Sequence, residues 1–218
     1  MTTPAPTGRF LSVSWIAAYA GMLTWSAIQP KDYFIWWLEV FPALIALAVL
    51  ALTYRRFRFT ALAYTLILLH CIVLMIGGHY TYAEVPMFDW LKQAFSLARN
   101  DYDKVGHFAQ GFVPAIVARE ILVRQSVVQR RGWLAFIVVS ICLAISALYE
   151  LFEWWVAVLS GTAADAFLSM QGDVWDTQSD MAFALVGAIL AVLVLSRMHD
   201  RQIEAIGARA EPVTGGAS

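Results

Sequence analysis

Asp101-Tyr102-Asp103-Lys104-Val105-Gly106-His107-Phe108-Ala109-Gln110-Gly111 opens with charge and turns apolar as it proceeds. It runs straight into the apolar stretch that follows, so it reads as the polar mouth of a membrane helix. His107 stands four residues after Asp103, one turn further along the same helix face. Two later stretches match it in character: Tyr149-Glu150-Leu151-Phe152-Glu153, and Gly172-Asp173-Val174-Trp175-Asp176-Thr177-Gln178-Ser179-Asp180. Each puts ionisable groups beside a long apolar run.

Those runs set the class. Of the 218 residues, 60% are hydrophobic and 14% charged, where a soluble domain carries about 25% charged residues. The expected fold is an all-α polytopic membrane helix bundle, because lipid offers the backbone no hydrogen-bond partner. Spans are predicted over about 10–28, 34–54, 59–78, 102–123, 132–159 and 177–198, each near the twenty residues a bilayer requires. They form one transmembrane domain, 1–203, followed by a loose polar tail, 204–218. The first run has only Arg9 ahead of it and no small-residue cleavage site, so it reads as a retained span. Residues 88–99 read as an interfacial helix with Phe88, Trp90, Leu91 and Phe95 against the headgroups. Residues 160–172 read as a polar, acidic loop. Cys71 and Cys142 both fall in apolar runs and read as small apolar residues. No basic tract suggests nucleic acid, so the expected partner is the lipid bilayer.

In a six-span arrangement, 11 of the 15 Lys and Arg lie on one side; Lys31, Lys92, Arg99 and Lys104 lie on the other. The basic side is expected to be cytoplasmic, with both termini inside. Twelve of the 16 carboxylates gather at the opposite, outer side. There the fourth span brings Asp103 and His107, the fifth Glu150 and Glu153, and the sixth Asp173, Asp176 and Asp180. His79, Tyr80 and Glu84 follow the third span at the same depth. Ionisable groups at membrane depth are costly and mark a functional site by default.

Two histidines among several carboxylates suit a divalent metal. His107, Glu150, Asp180 and His79 are the candidate ligands. His107, Glu150 and Glu153 are the candidate catalytic groups, with Asp103, Asp173, Asp176, Tyr80, Glu84 and Tyr149 in support. Helix capping is the plainer reading of Asp101, Asp103, Asp173 and Asp176. His199 reads as a juxtamembrane surface residue.

The motifs HYTYAEVP at 79–86, DYDKVGHFAQGFVPA at 101–115, YELFEWW at 149–155 and GDVWDTQSDM at 172–181 resemble the YjdF family of bacterial inner-membrane proteins. That resemblance implies a polytopic inner-membrane protein and implies no reaction. A more distant likeness is to VanZ-like proteins. Asp103-Lys104, His107-Phe108, Tyr149-Glu150, Asp176, Asp180 and Gly187 follow their order, with Asp180 where those proteins usually carry Asn. This likeness implies a cell-envelope context.

Three functions fit these residues. The favoured one is a metal-dependent hydrolase or transferase acting on a lipid or lipid-linked envelope substrate. The others are a proton- or cation-coupled small-molecule transporter and a non-catalytic bundle with a polar clamp. His-Glu-x-x-His and Gly-x-Ser-x-Gly signatures are absent, and Ser146 and Ser160 have no base at fixed spacing.

Overall fold

The computed structural model describes residues 6–160 and 171–210, and the side chains of 13–160 and 171–207. The described residues form seven α-helices and no strand: α1 (Pro6–Ala27), α2 (Tyr33–Thr53), α3 (Ala61–Tyr80), α4 (Pro86–Phe95), α5 (Tyr102–Arg124), α6 (Arg131–Ser160) and α7 (Asp176–Ala210). A single 3-10 turn, Tyr82–Glu84, lies between α3 and α4. Four helices, α2, α3, α6 and α7, are long and apolar enough to cross a membrane. Large apolar side chains cover the outside of the bundle: Leu52 is 81% exposed, Leu159 86% and Leu193 73%. In water such a surface would aggregate; in lipid it is the solvent-facing surface.

Two apolar cores hold the bundle. One joins α1, α2 and α3 through Tyr19, Trp36, Val40, Ala43, Ile67, Cys71 and Met75. The other joins α3, α5, α6 and α7 through Ala63, Ala115, Ile116, Val138, Cys142, Ala188 and Ala191. Both cysteines are free and buried in these cores. The second core is rich in alanine, and small residues let membrane helices approach closely. The approach is tightest between α5 and α7. A Cβ on Gly111 would collide with the Ala184 carbonyl, and one on Gly187 with the Phe108 carbonyl.

Tyr82 wedges α3 against α5. Its ring occupies the space that a side chain at Gly77 or Gly106 would need, and it packs on Tyr102 at 5.4 Å between centroids. Gly78 brings α3 onto α2; a Cβ there would lie 2.9 Å from Val40 Cγ2 and 3.3 Å from Glu39 Cβ.

Two boundaries differ from the sequence expectation. α7 continues to Ala210, through much of the stretch expected to be a loose tail, because Gln202 and the residues before it still find partners: Gln202 Oε1 accepts from the Leu62 amide. The short helix occupies Pro86–Phe95 rather than 88–99. Pro86 suits the first helical turn, and Ser96 ends the helix in the left-handed conformation, at φ +51°. Trp90 and Phe95 on it are 63% and 68% exposed, while Phe88 packs on Tyr102. Most of the expected 160–172 loop lies outside the described residues.

Candidate functional site

The chain just ahead of α5 is pinned before any charged group is placed. The Asn100 amide nitrogen Nδ2 donates to the Val85 carbonyl at 3.1 Å and to Asp89 Oδ1 at 2.8 Å. Asn100 and Gln171 exchange two further bonds: the Asn100 N–H to Gln171 Oε1 at 2.9 Å, and Gln171 Nε2 to the Asn100 carbonyl at 2.8 Å. This clamp ties the start of α5 to the approach of α7.

Arg99, 5% exposed, stands on that clamp at the centre of a ring of acids. Its guanidinium pairs closely with Asp176 and reaches Asp103 at 3.3 Å, Asp173 at 3.6 Å and Asp101 at 3.8 Å. Burial opposes its charge, but the hydrogen bond to Asp176 and the fields of Asp176, Asp103 and Asp180 outweigh burial and raise its pKa above the ordinary value. The capping reading of Asp101 is corrected here. Asp101 occupies the N-cap position of α5 yet makes no cap bond; it pairs instead with Lys104 at 3.1 Å. Asp103 and Asp176 likewise serve Arg99. Asp173 does accept a backbone bond, from the Trp175 amide at 2.9 Å.

One turn deeper lies His107, 4% exposed. Its two ring nitrogens face different groups. Nε2 lies 3.4 Å from Asp103 Oδ1 and 3.7 Å from Asp180 Oδ2. Nδ1 lies 3.3 Å from Gln110 Oε1 and 3.7 Å from Glu150 Oε1. Asp103, His107 and Asp180 each offer a ligand atom, and these atoms lie within 4.8 Å of one another. An ion with bonds of about 2.1 Å in tetrahedral geometry holds its ligand atoms about 3.4 Å apart. The Nε2 edge of His107 therefore has the spacing of a metal site. Glu150 lies on the other edge, where a carboxylate orients a ligating imidazole instead of binding the ion.

The cluster is incompletely satisfied. Asp180 Oδ1, Glu150 Oε1 and the Ser146 hydroxyl are buried with no hydrogen-bond partner. Such groups cost about 1–3 kcal/mol each, more when charged. Behind them stands a layer of buried groups that sequence reading undervalued. Glu39 of α2, 4% exposed, is hydrogen-bonded by Tyr149. The Tyr149 ring lies edge-on to His107 at 6.1 Å. Glu153, 9% exposed, lies on the same face of α6 as Glu150. Glu39 sits in an apolar run between Leu38 and Val40, which was a usable signal; Arg99 lies outside every run and had none.

The third-span motif goes elsewhere. The structure corrects the inclusion of His79, Tyr80 and Glu84 in the His107 cluster. His79 Nδ1 meets the Ser26 carbonyl at 3.1 Å, and its ring lies on Trp25 and Tyr80. Glu84 pairs with Lys31. This end of α3 is tied to the α1–α2 connection, where the His79 carbonyl accepts from the Lys31 amide at 2.9 Å.

A second polar cluster occupies the opposite end of α5. Glu120, fully buried, accepts from the Thr60 amide (2.9 and 3.1 Å), the Thr60 hydroxyl (2.8 Å) and Arg124 (2.8 Å). His199 Nε2 lies 3.0 Å from the same carboxylate. Arg119 sits 3.2 Å from His199 Nδ1 and donates to Asp200 at 2.6 Å. His199 is thus fully buried, not the surface residue expected. α7 extends past it, so it lies within a helix and turns toward α5.

Similarity to known proteins covers most of the chain. The Escherichia coli (strain K12) inner membrane protein YjdF is 52% identical over 186 residues, covering 85% of this chain and 89% of that protein. No solved structure matches. Neither match extends to the VanZ-like proteins. The chain is an integral, multi-pass protein of the bacterial inner membrane, and through residues 11–201 it belongs to the family described as predicted membrane protein DUF2238.

Proposed function

We propose that the Asp103–His107–Asp180 cluster is a divalent-cation site, and that the protein is a metal-dependent hydrolase or transferase acting on a lipid or lipid-linked envelope substrate. The observation that carries this reading is the convergence of three buried ligand atoms within 4.8 Å, beside an Asp180 oxygen that has no other partner. The roles follow from the ring geometry. His107 binds through Nε2, Asp103 and Asp180 supply oxygen, and Glu150 and Gln110 orient the imidazole from Nδ1. An ion there supplies Lewis acidity and an activated water. Glu153, further along the same face as Glu150, is the spare carboxylate for proton transfer. In this reading α1 and α5 also span the bilayer, both termini are cytoplasmic, and the site opens to the outer leaflet. The arginines at the Glu120 end support that orientation.

A second reading rests on the buried acids behind His107. Glu39, bonded by Tyr149, together with Glu150 and Glu153, could relay protons for a transporter. α5 is one unbroken helix despite Gly106, Gly111 and Pro114, which disfavours the interrupted helices typical of such transporters.

The test is elemental analysis of the detergent-purified protein beside His107→Ala and Asp180→Asn. About one divalent ion per chain, lost in both variants while thermal unfolding stays cooperative, is the expected result. A wild-type protein that stays metal-free after supplementation overturns the metal reading and leaves the proton relay.

A further inference from the structure

At the Glu120 end, between α5, α6 and α7, lies a cavity of about 270 Å³. Its polar side carries Arg119, Arg131 and Arg197, with Asp200 as the one acid. Its apolar side includes Leu134, Val138 and Leu193. Arg119 is already engaged by Asp200. Arg131 and Arg197 are exposed, and among the described residues neither forms an ion pair. Two uncompensated guanidiniums thus stand over an apolar wall that continues into lipid-facing surface, since Leu193 is 73% exposed. Beside the cavity, Gly132, Trp133 and Phe136 form a shallow apolar depression, with Trp133 59% exposed. Tryptophan in such a position marks headgroup depth.

We propose that this cavity binds the phosphate of an anionic phospholipid, held by Arg131 and Arg197 with its acyl chain along Leu134, Val138 and Leu193. Guanidinium matches a phosphate's oxygens in pairs and is weakly hydrated, so it keeps its advantage at the membrane interface. Basic pockets between membrane helices on the cytoplasmic side are suited to such headgroups. Arg119 lies beneath, buried at 7% exposure and held by His199 and Asp200, so its charge is already matched and the anion preference falls to Arg131 and Arg197. The cavity accommodates a headgroup and the first part of one chain; the rest of the lipid stays in the bilayer.

The experiment uses the full-length protein in neutral detergent, titrated with short-chain phosphatidylglycerol or phosphatidylcholine and read by native mass spectrometry. Wild-type protein is expected to bind phosphatidylglycerol about thirtyfold more tightly, as two interfacial arginines would give. In Arg131→Gln/Arg197→Gln the preference is expected to vanish while binding of phosphatidylcholine is unchanged. Equal binding of the two lipids by wild type overturns the proposal without recourse to any variant, as does a preference that survives the double substitution. A third arm adds inorganic phosphate. If phosphate displaces phosphatidylglycerol at a concentration no higher than that of the lipid, the acyl chain contributes nothing and the lipid assignment falls; a requirement for a large excess of phosphate supports it.

Discussion

The two ends of α5 carry the same ingredients and differ in how far each is satisfied. Each has a buried histidine between α5 and α7, a buried carboxylate and an arginine. At the Glu120 end the carboxylate has a donor for each oxygen: Thr60 twice, Arg124 and His199. At the His107 end three carboxylates face one histidine, and oxygens of Asp180 and Glu150 are left without a donor. A structural polar cluster completes itself with protein atoms. The metal reading proposed above accounts for the one that stays incomplete in a buried place.

Three measurements can break or sharpen that contrast. The largest effect is expected at the finished end. Glu120→Ala leaves His199, Arg124 and the Thr60 amide without their acceptor, and is expected to cost about 3–5 kcal/mol, read as a large drop in Tm. An unchanged Tm would mean the Glu120 cluster is not structural and would remove the contrast.

At the unfinished end, stripping the ion is expected to lower wild-type stability by about 3 kcal/mol relative to protein held at a hundredfold excess of metal over Kd. Asp180→Asn is expected to abolish that metal dependence. In chelator it should unfold no earlier than wild type, because the amide removes a charge from a crowded set of carboxylates. A variant less stable than wild type in chelator would show that Asp180 acts as part of a closed polar clamp.

The smallest effect belongs to the motif that both clusters leave aside. Lys31 and Glu84 pair with side chains about half exposed, at 50% and 51%, so Glu84→Gln is expected to change stability by less than about 1 kcal/mol and to leave metal content untouched. Loss of metal in that variant would return the third-span motif to the site.

What sequence could and could not reveal follows from where each residue sits. His107, Glu150, Glu153 and Asp180 stand inside apolar runs, and a charge in an apolar run is conspicuous. Glu120 and His199 lie near the ends of such runs, where polar residues are ordinary. Their meeting depends on the register of α5 against α7, which Gly111 and Gly187 set through backbone contact; one-dimensional spacing does not carry that. Arg99 was hidden for a similar reason. It lies in a connection, and its burial comes from the Asn100–Gln171 clamp between segments 71 residues apart. The error over His79 was one of direction: it lies on the side of α3 that meets α1, with its ring on Trp25 and its Nδ1 at the Ser26 carbonyl.

The glycine contacts between α5 and α7 have a mechanical consequence. With backbone against backbone at Gly111 and Gly187, the two helices have no layer of side chains to absorb relative sliding. α5 acts as a rigid rod with a polar grip on α7 at either end, since His107 and Glu120 are 13 residues, or about 20 Å, apart along it. A shift of α7 that widened the gap between Asp180 and His107 would have to drag His199 away from Glu120. Events at the His107 cluster and at the arginine-lined cavity are therefore geared to one another through a single stiff joint.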